Sequence, residues 1–245
     1  MPYYVLFDTE TTGNQDDDKI IQFGAMVVSQ DGKVEAYDEL CSTDVEIKLE
    51  AMEVHNITPD LLVGKPKAIE TSFYKRLEQL NSPENYLIAH NIKFDMSMVE
   101  KEGFVNSYQI IDTLRCAKHL FPQMPYHRLQ YLRYALELYK KEQKEANKYN
   151  ITIKAHDAIG DVLVMKLFLS KLVTKCREIY PDYNPIEKLV DLTKTPVLIK
   201  TFRFGKYKNK DIAQVAQEDP SYLNWMRKNM DLDEDLKYTL DKVLS

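Results

Sequence analysis

Three short stretches carry carboxylates and a histidine at spacings that chemistry can use. In FDTETTG, residues 7–13, Asp8 and Glu10 are two apart. In an extended strand that spacing puts both side chains on one face. Two carboxylates on one face at the end of an apolar strand repel each other and lose solvation, and divalent cations relieve both penalties. The plainer reading is a strand that has reached solvent. In AHNIKFD, residues 89–95, Asp95 follows an apolar run and a polar loop and stands at the start of a helix. A carboxylate there also serves as a cap or dipole partner. In HDAIGD, residues 156–161, His156 leads into an apolar helix whose first turns carry Asp161. From that lead-in His156 is within reach of a water held near Asp161; a structural histidine at a helix start is the alternative.

The elements that must position these residues read as follows. YYVLF, residues 3–7, is apolar and rich in β-formers, a buried strand running into a polar loop. IIQFGAMVVSQ and KVEAYDELCS form two further strands joined by a turn at Asp31-Gly32. Residues 49–62 read as a helix broken at Pro59, and Ile69, Phe73, Leu77 and Leu80 follow helical spacing. NYLIAH is a short strand, 94–102 a helix stopped by Gly103, and QIIDTL another strand. Residues 128–148 read as one long amphipathic helix and 158–180 as a strongly apolar one. This order predicts one α/β domain over residues 1–180 with a mixed sheet. The three prolines of 181–196 suggest a linker, and 197–245 a small C-terminal accessory module of strands and short helices.

Composition sets the outer bounds. At 44% hydrophobic and 29% charged, the 245 residues are ordinary for a globular protein. No segment approaches the ~20 apolar residues of a membrane span. The N-terminus lacks a basic stretch before its apolar run, so a cytoplasmic location is expected. Cys41, Cys116 and Cys176 are scattered without metal-ligand spacing and read as reduced, buried thiols. A net charge of −5 does not announce a nucleic-acid binder. An acidic site that recruits phosphate through cations needs only a local basic rim.

Taken together, the three stretches resemble the motifs of the DEDD exonuclease family, also called DnaQ-like, in its histidine-bearing subclass. Asp8 and Glu10 match the first motif, Asp95 the second, and His156 with Asp161 the third, in the family's order. AMEVHNIT and IIDTL agree, although Asn56 stands where the family often has glycine. The resemblance covers residues 1 to about 175. It implies a ribonuclease H-like mixed sheet flanked by helices, and hydrolysis of phosphodiester bonds from a 3′ end to nucleoside 5′-monophosphates. It also implies two ions, Mg²⁺ or Mn²⁺, held by Asp8, Glu10, Asp95 and Asp161, with His156 as general base. Thr9, Thr11, Thr12, His55 and Asn91 are the implied contacts to the terminal nucleotide. Phe94 reads as core rather than as a wedge against a base.

The resemblance favours DNA as partner, single strands above all, in repair or replication. RNA end-trimming and proofreading beside a polymerase stay open, because one active site serves all three. FRFGKYKNKDIAQVAQEDPSYLNWM, residues 202–226, resembles the module that follows the nuclease domain in exodeoxyribonuclease X-like proteins. Between Pro196 and Lys228 seven Lys or Arg face three Asp or Glu, with Phe202, Phe204, Tyr207, Tyr222 and Trp225 among them. Basic groups interleaved with aromatics suit single strands; the other reading makes the aromatics the core of a tiny domain.

Overall fold

The computed structural model describes residues 2–153 and 157–244. Strands β1 (Tyr3–Thr11), β2 (Ile20–Ser29) and β3 (Val34–Leu40) form an antiparallel meander. Strands β4 (Tyr86–Ala89) and β5 (Gln109–Asp112) join the other edge of β1 in parallel. The sheet order is β3-β2-β1-β4-β5, so the strand bearing Asp8 and Glu10 is the central one. The first unit's helices are α1 (Leu49–His55), α2 (Pro59–Leu62), α3 (Ser72–Gln79), α4 (Ile92–Lys101) and α5 (Thr113–Leu120). They continue with α6 (Leu129–Ala135), α7 (Tyr139–Tyr149), α8 (Ala158–Ile179) and α9 (Pro185–Lys194).

The period-2 pattern of β1 divides these helices into two layers. Val5 and Phe7 are buried with Phe23, Phe73, Met98 and Val99, the side of α3 and α4. Leu6 is buried with Met26, Ile88, Ile111, Leu163 and Phe168, the side of α5 and α8. Burying each large side chain contributes roughly 1.5–3 kcal/mol before entropy is counted. Asp8 and Glu10 continue the Leu6 face, toward α8.

Helix α8 reaches that face by an unusually close approach. Gly24 of β2 is the partner of Asp8 across the β1–β2 ladder. A Cβ on Gly24 would lie 2.1 Å from the carbonyl carbon of Ala158 and 2.3 Å from the nitrogen of Ile159. The first turn of α8 therefore rests on bare backbone, which only glycine permits.

The chain divides into two compact units, Met1–Thr193 and Lys194–Ser245. The second unit holds α10 (Ile212–Glu218), α11 (Pro220–Asn229) and α12 (Glu234–Val243). Phe202, Ile212, Val215, Leu223, Met226, Leu236 and Leu240 form its core. Asp211, Asp219 and Asp233 cap the three helices through side-chain bonds to Gln214, Tyr222 and Leu236 N–H groups. Each cap is worth about 1 kcal/mol.

Three expectations from sequence are corrected, and one helix is added. Residues 128–148 are two helices, because Glu137 takes a left-handed φ of 55° and turns the chain so that Leu138 is buried. The 181–196 segment is not an open linker: α9 buries Leu189, Val190 and Leu192, with Pro185 in its first position, where a missing N–H costs nothing. Of the strands expected after 197, the described residues show only a bridge between Thr201 and Asp211. Helix α12 lay unrecognised in the acidic C-terminal run.

Gly24→Ala is expected to push α8 away from β2. Overpacking of this kind costs about 1–3 kcal/mol, a fall of roughly 2–10 °C in Tm for a domain of this size. Calorimetry checks it: an unchanged Tm would contradict the close approach as the reason for glycine at this position.

Candidate active site

The carboxylates come from three elements. Asp8 and Glu10 lie near the C-terminal end of β1, Asp95 in the first turn of α4 and Asp161 in the first turn of α8. Asp8, Glu10 and Asp161 are half-buried; Asp95 is buried at 3% exposure. Thr9 holds Asp95 in place, donating to its Oδ1 from both the backbone N–H (3.1 Å) and the hydroxyl (2.9 Å). Gln130 of α6 donates to Asp161 Oδ1, and its own carbonyl oxygen accepts from Arg133, whose guanidinium is clamped by the buried carboxylate of Glu142. Gln22 of β2 donates at 2.9 Å to Asp157, the residue before α8.

Each acid feels the others. Burial pushes Asp8 well above the usual carboxylate range, and the charges of Asp95, Asp161 and Glu10 raise it further. Burial likewise brings Glu10 up to about 8, with Asp161, Asp95 and Asp157 adding to it. Asp95 rises to about 7 by burial, partly offset by the Thr9 bonds. Such a cluster is a strained electrostatic arrangement that a hard cation relieves with oxygen donors alone. As oriented, no three His, Cys, Asp or Glu side chains among the described residues form a ready-made ligand set. Asp95 accepts from Thr9 and Asp161 from Gln130, each through Oδ1, within a site whose charge and donor chemistry fit a hard cation.

Beside the acids lies a cavity of about 560 Å³ lined by Thr9, Glu10, Thr11, Lys48, His55 and Phe94, among others. Its outer wall, Gly13 to Gln15, is pinned by Asp18. That wholly buried carboxylate accepts from Thr12 Oγ1 (2.7 Å), Gln15 N–H (2.7 Å) and Lys48 Nζ (2.6 Å). His55 Nδ1 accepts the Ile57 N–H at 2.9 Å, which leaves the ring proton on Nε2.

The structure thus gathers Thr9, Thr11 and His55 of the expected nucleotide contacts into one cavity. Thr12 is turned inward and spent on Asp18 and the Lys19 N–H (3.0 Å), so its side chain cannot meet a nucleotide there. Asn91 stands at the N-cap of α4 in a left-handed conformation, apart from the lining. Phe94 packs on the core and also lines the cavity. His156 lies outside the described residues. Sequence reasoning missed Gly24, Gln130 and the Asp18–Lys48 pair. A glycine interrupting a strand marks close backbone approach and offered a signal; Gln130 offered none.

This sheet and acid cluster define a ribonuclease H-like nuclease fold, as expected. A family profile described as "Exonuclease" matches residues 5–168, and one described as "Exodeoxyribonuclease X-like C-terminal" matches residues 202–231. The chain belongs to the exonuclease family, in its DEDDh-type 3′–5′ branch. Exodeoxyribonuclease 10 of Escherichia coli (strain K12) is 27% identical over 98% of this chain and 97% of its own length. The DNA polymerase III subunit epsilon of Treponema pallidum (strain Nichols) is 28% identical over 71% of this chain and 79% of its own. Exonuclease X in complex with 5′ overhanging duplex DNA superposes with a TM-score of 0.55 at 20% identity, covering 78% of this chain and 99% of that one. Escherichia coli exonuclease I in complex with a dT13 oligonucleotide gives 0.53 at 22% identity, covering 75% and 43%. Members of this family bind nucleic acid and use divalent metal ions. Among the described residues no helix is long and apolar enough to cross a membrane.

The raised acids give a signed pH dependence. A carboxyl whose folded value lies above its unfolded one stabilises the protein below about pH 4 and loses that contribution as pH rises through the folded value. That loss runs from the ordinary carboxyl range up to about pH 7 for Asp95 and about pH 8 for Glu10. In EDTA, Tm should therefore drop between pH 5 and pH 9, and added Mg²⁺ or Mn²⁺ should restore it more at pH 8 than at pH 5.5. A flat profile indifferent to cations would contradict the cluster.

Proposed function

We propose that this protein is a 3′–5′ exodeoxyribonuclease that removes nucleoside 5′-monophosphates from DNA, single strands by preference, in the cytoplasm during repair or replication. The observation that carries the reading is the mutual electrostatic contact of Asp8, Glu10, Asp95 and Asp161, brought together from β1, α4 and α8 beside a cavity of nucleotide size. The relatives act on DNA by their names, and the similar structures carry DNA, which supports DNA over RNA.

The four carboxylates are proposed to hold two Mg²⁺ or Mn²⁺ ions, since hard oxygen donors favour these over zinc. Held there, such ions would supply charge relief at the phosphoryl and leaving oxygens and a lowered pKa for the attacking water. Asp8 feels the charges of Asp95, Asp161 and Glu10 alike, which suits a shared ligand. Thr9, Thr11 and His55 orient the terminal nucleotide, His55 Nε2 as a donor and Phe94 as an apolar wall. His156 receives the proton of the attacking water, a role for which histidine is the commonest side chain near neutral pH.

Two substitutions separate these roles. Asp8→Ala should abolish turnover and weaken Mn²⁺ binding together. His156→Ala should lower kcat by about 10² to 10⁴ with metal titration nearly unchanged. Single-turnover rates on matched end-labelled DNA and RNA strands, with Mg²⁺ and with EDTA, test both variants and the substrate class. Faster degradation of RNA, or turnover in EDTA, would overturn the proposal.

A further inference from the structure

The second unit separates its aromatic residues into an interior and a surface set. Phe202 is buried at 3% in the core with Leu223 and Met226, whereas Phe204 and Trp225 are 45% and 52% exposed. Trp225 stacks on Tyr222 with ring centroids 6.0 Å apart and planes at 25°. Tyr222 meets Tyr207 edge-on at 5.1 Å. Lys206 stands over both tyrosines, 4.7 Å from one ring centre and 5.6 Å from the other, and is paired with Asp219 at 3.0 Å.

These rings adjoin a basic loop. The Thr201–Asp211 bridge closes it, and Phe202 exchanges bonds with Lys210 and Asn209. Gly205 and Asn209 supply left-handed turns. Gly205 comes so near α11 that a Cβ there would lie 2.9 Å from the Tyr222 hydroxyl. The loop is thus fixed against the Tyr222–Trp225 pair. Residues 200–210 hold five Lys or Arg and no acid, in a chain of net charge −5. Lys200, Arg203, Lys208 and Lys210 are exposed, and among the described residues none of them is paired with a carboxylate. The unit's acids fall mainly in 231–241, outside the loop.

Exposed ring faces beside unpaired cations are what a single nucleic-acid strand requires: phosphates meet the cations and unstacked bases lie on the rings. A duplex hides its base faces and gains nothing from the rings. We propose that the basic loop 200–210, with Phe204, Tyr222 and Trp225, is a second nucleic-acid site of this protein that takes single strands. It rests on the nuclease reading only for its purpose, holding substrate while the active site trims an end.

Trp225 is the chain's one tryptophan, so its emission reports on this face alone. Full-length protein in EDTA is titrated with (dT)20 and with a blunt 20-base-pair duplex, followed by tryptophan fluorescence and by anisotropy of labelled (dT)20. The proposal expects quenching by (dT)20 at concentrations at least tenfold below those needed with the duplex. The variant K200Q/R203Q/K208Q/K210Q should flatten the slope of log affinity against log salt by about two to three, since each single-strand phosphate contact contributes about 0.7. Phe204→Ala should weaken (dT)20 binding about tenfold. Both variants should keep wild-type Tm and wild-type hydrolysis of a chromogenic thymidine ester. Absence of quenching in the wild type, equal response to the duplex, or an unchanged salt slope overturns the proposal, as does loss of ester hydrolysis in the variants. A wild type that quenches but hydrolyses neither ester nor DNA sinks the nuclease reading and leaves this site standing.

Discussion

Helix α8 begins where its backbone touches the backbone of β2 at Gly24, and the chemistry of the first unit depends on that contact. Gly24 sits opposite Asp8 in the ladder. The helix can descend to the sheet there because no side chain intervenes. Ten buried residues of α8, Val162, Leu163 and Phe168 among them, hold it down. Asp161 is the polar exception in its first turn, and the descent carries it into the electrostatic neighbourhood of Asp8 and Glu10. A methyl group at residue 24 stands in the way of the whole arrangement.

The cluster so formed is unfavourable in isolation. Several carboxylates share a poorly solvated space, and burial raises them before any neighbour is counted. The fold tolerates this because rigid elements, not the acids, hold the geometry. The acids are kept in place by neutral donors: Thr9 to Asp95, Gln130 to Asp161, Gln22 to Asp157. Arg133 stands behind Gln130, donating to its side-chain oxygen while paired with Glu142. Electrostatic strain held by packing is a common device for sites that bind cations or move protons.

Much of this was legible in the sequence, for physical reasons. The period-2 pattern of YYVLFDTE puts Asp8 and Glu10 on one face whatever the surrounding fold. The apolar runs at 86–89 and 158–179 are long enough to fix a strand and a helix. Propensity at the ends of elements was weaker evidence. Three prolines concealed α9, because a proline in a helix's first turn and one beyond its end look like breakers when counted without position. The turn at Glu137 left no glycine or proline to mark it. Thr12 looked like its neighbours Thr9 and Thr11, but only tertiary packing shows that its hydroxyl is spent on Asp18. Gln130 is one polar residue on an amphipathic helix, and nothing local distinguishes it from a solvated face.

The central claim is that Asp8, Glu10, Asp95 and Asp161 act as one cation-binding unit. Anomalous diffraction from crystals soaked in Mn²⁺ at pH 8 tests it most directly. The account predicts two peaks about 4 Å apart, both within the cluster of Asp8, Glu10, Asp95 and Asp161, with Asp8 beside each. Peaks elsewhere, or none beside Asp8 in crystals that bind Mn²⁺ at other carboxylates, would contradict it.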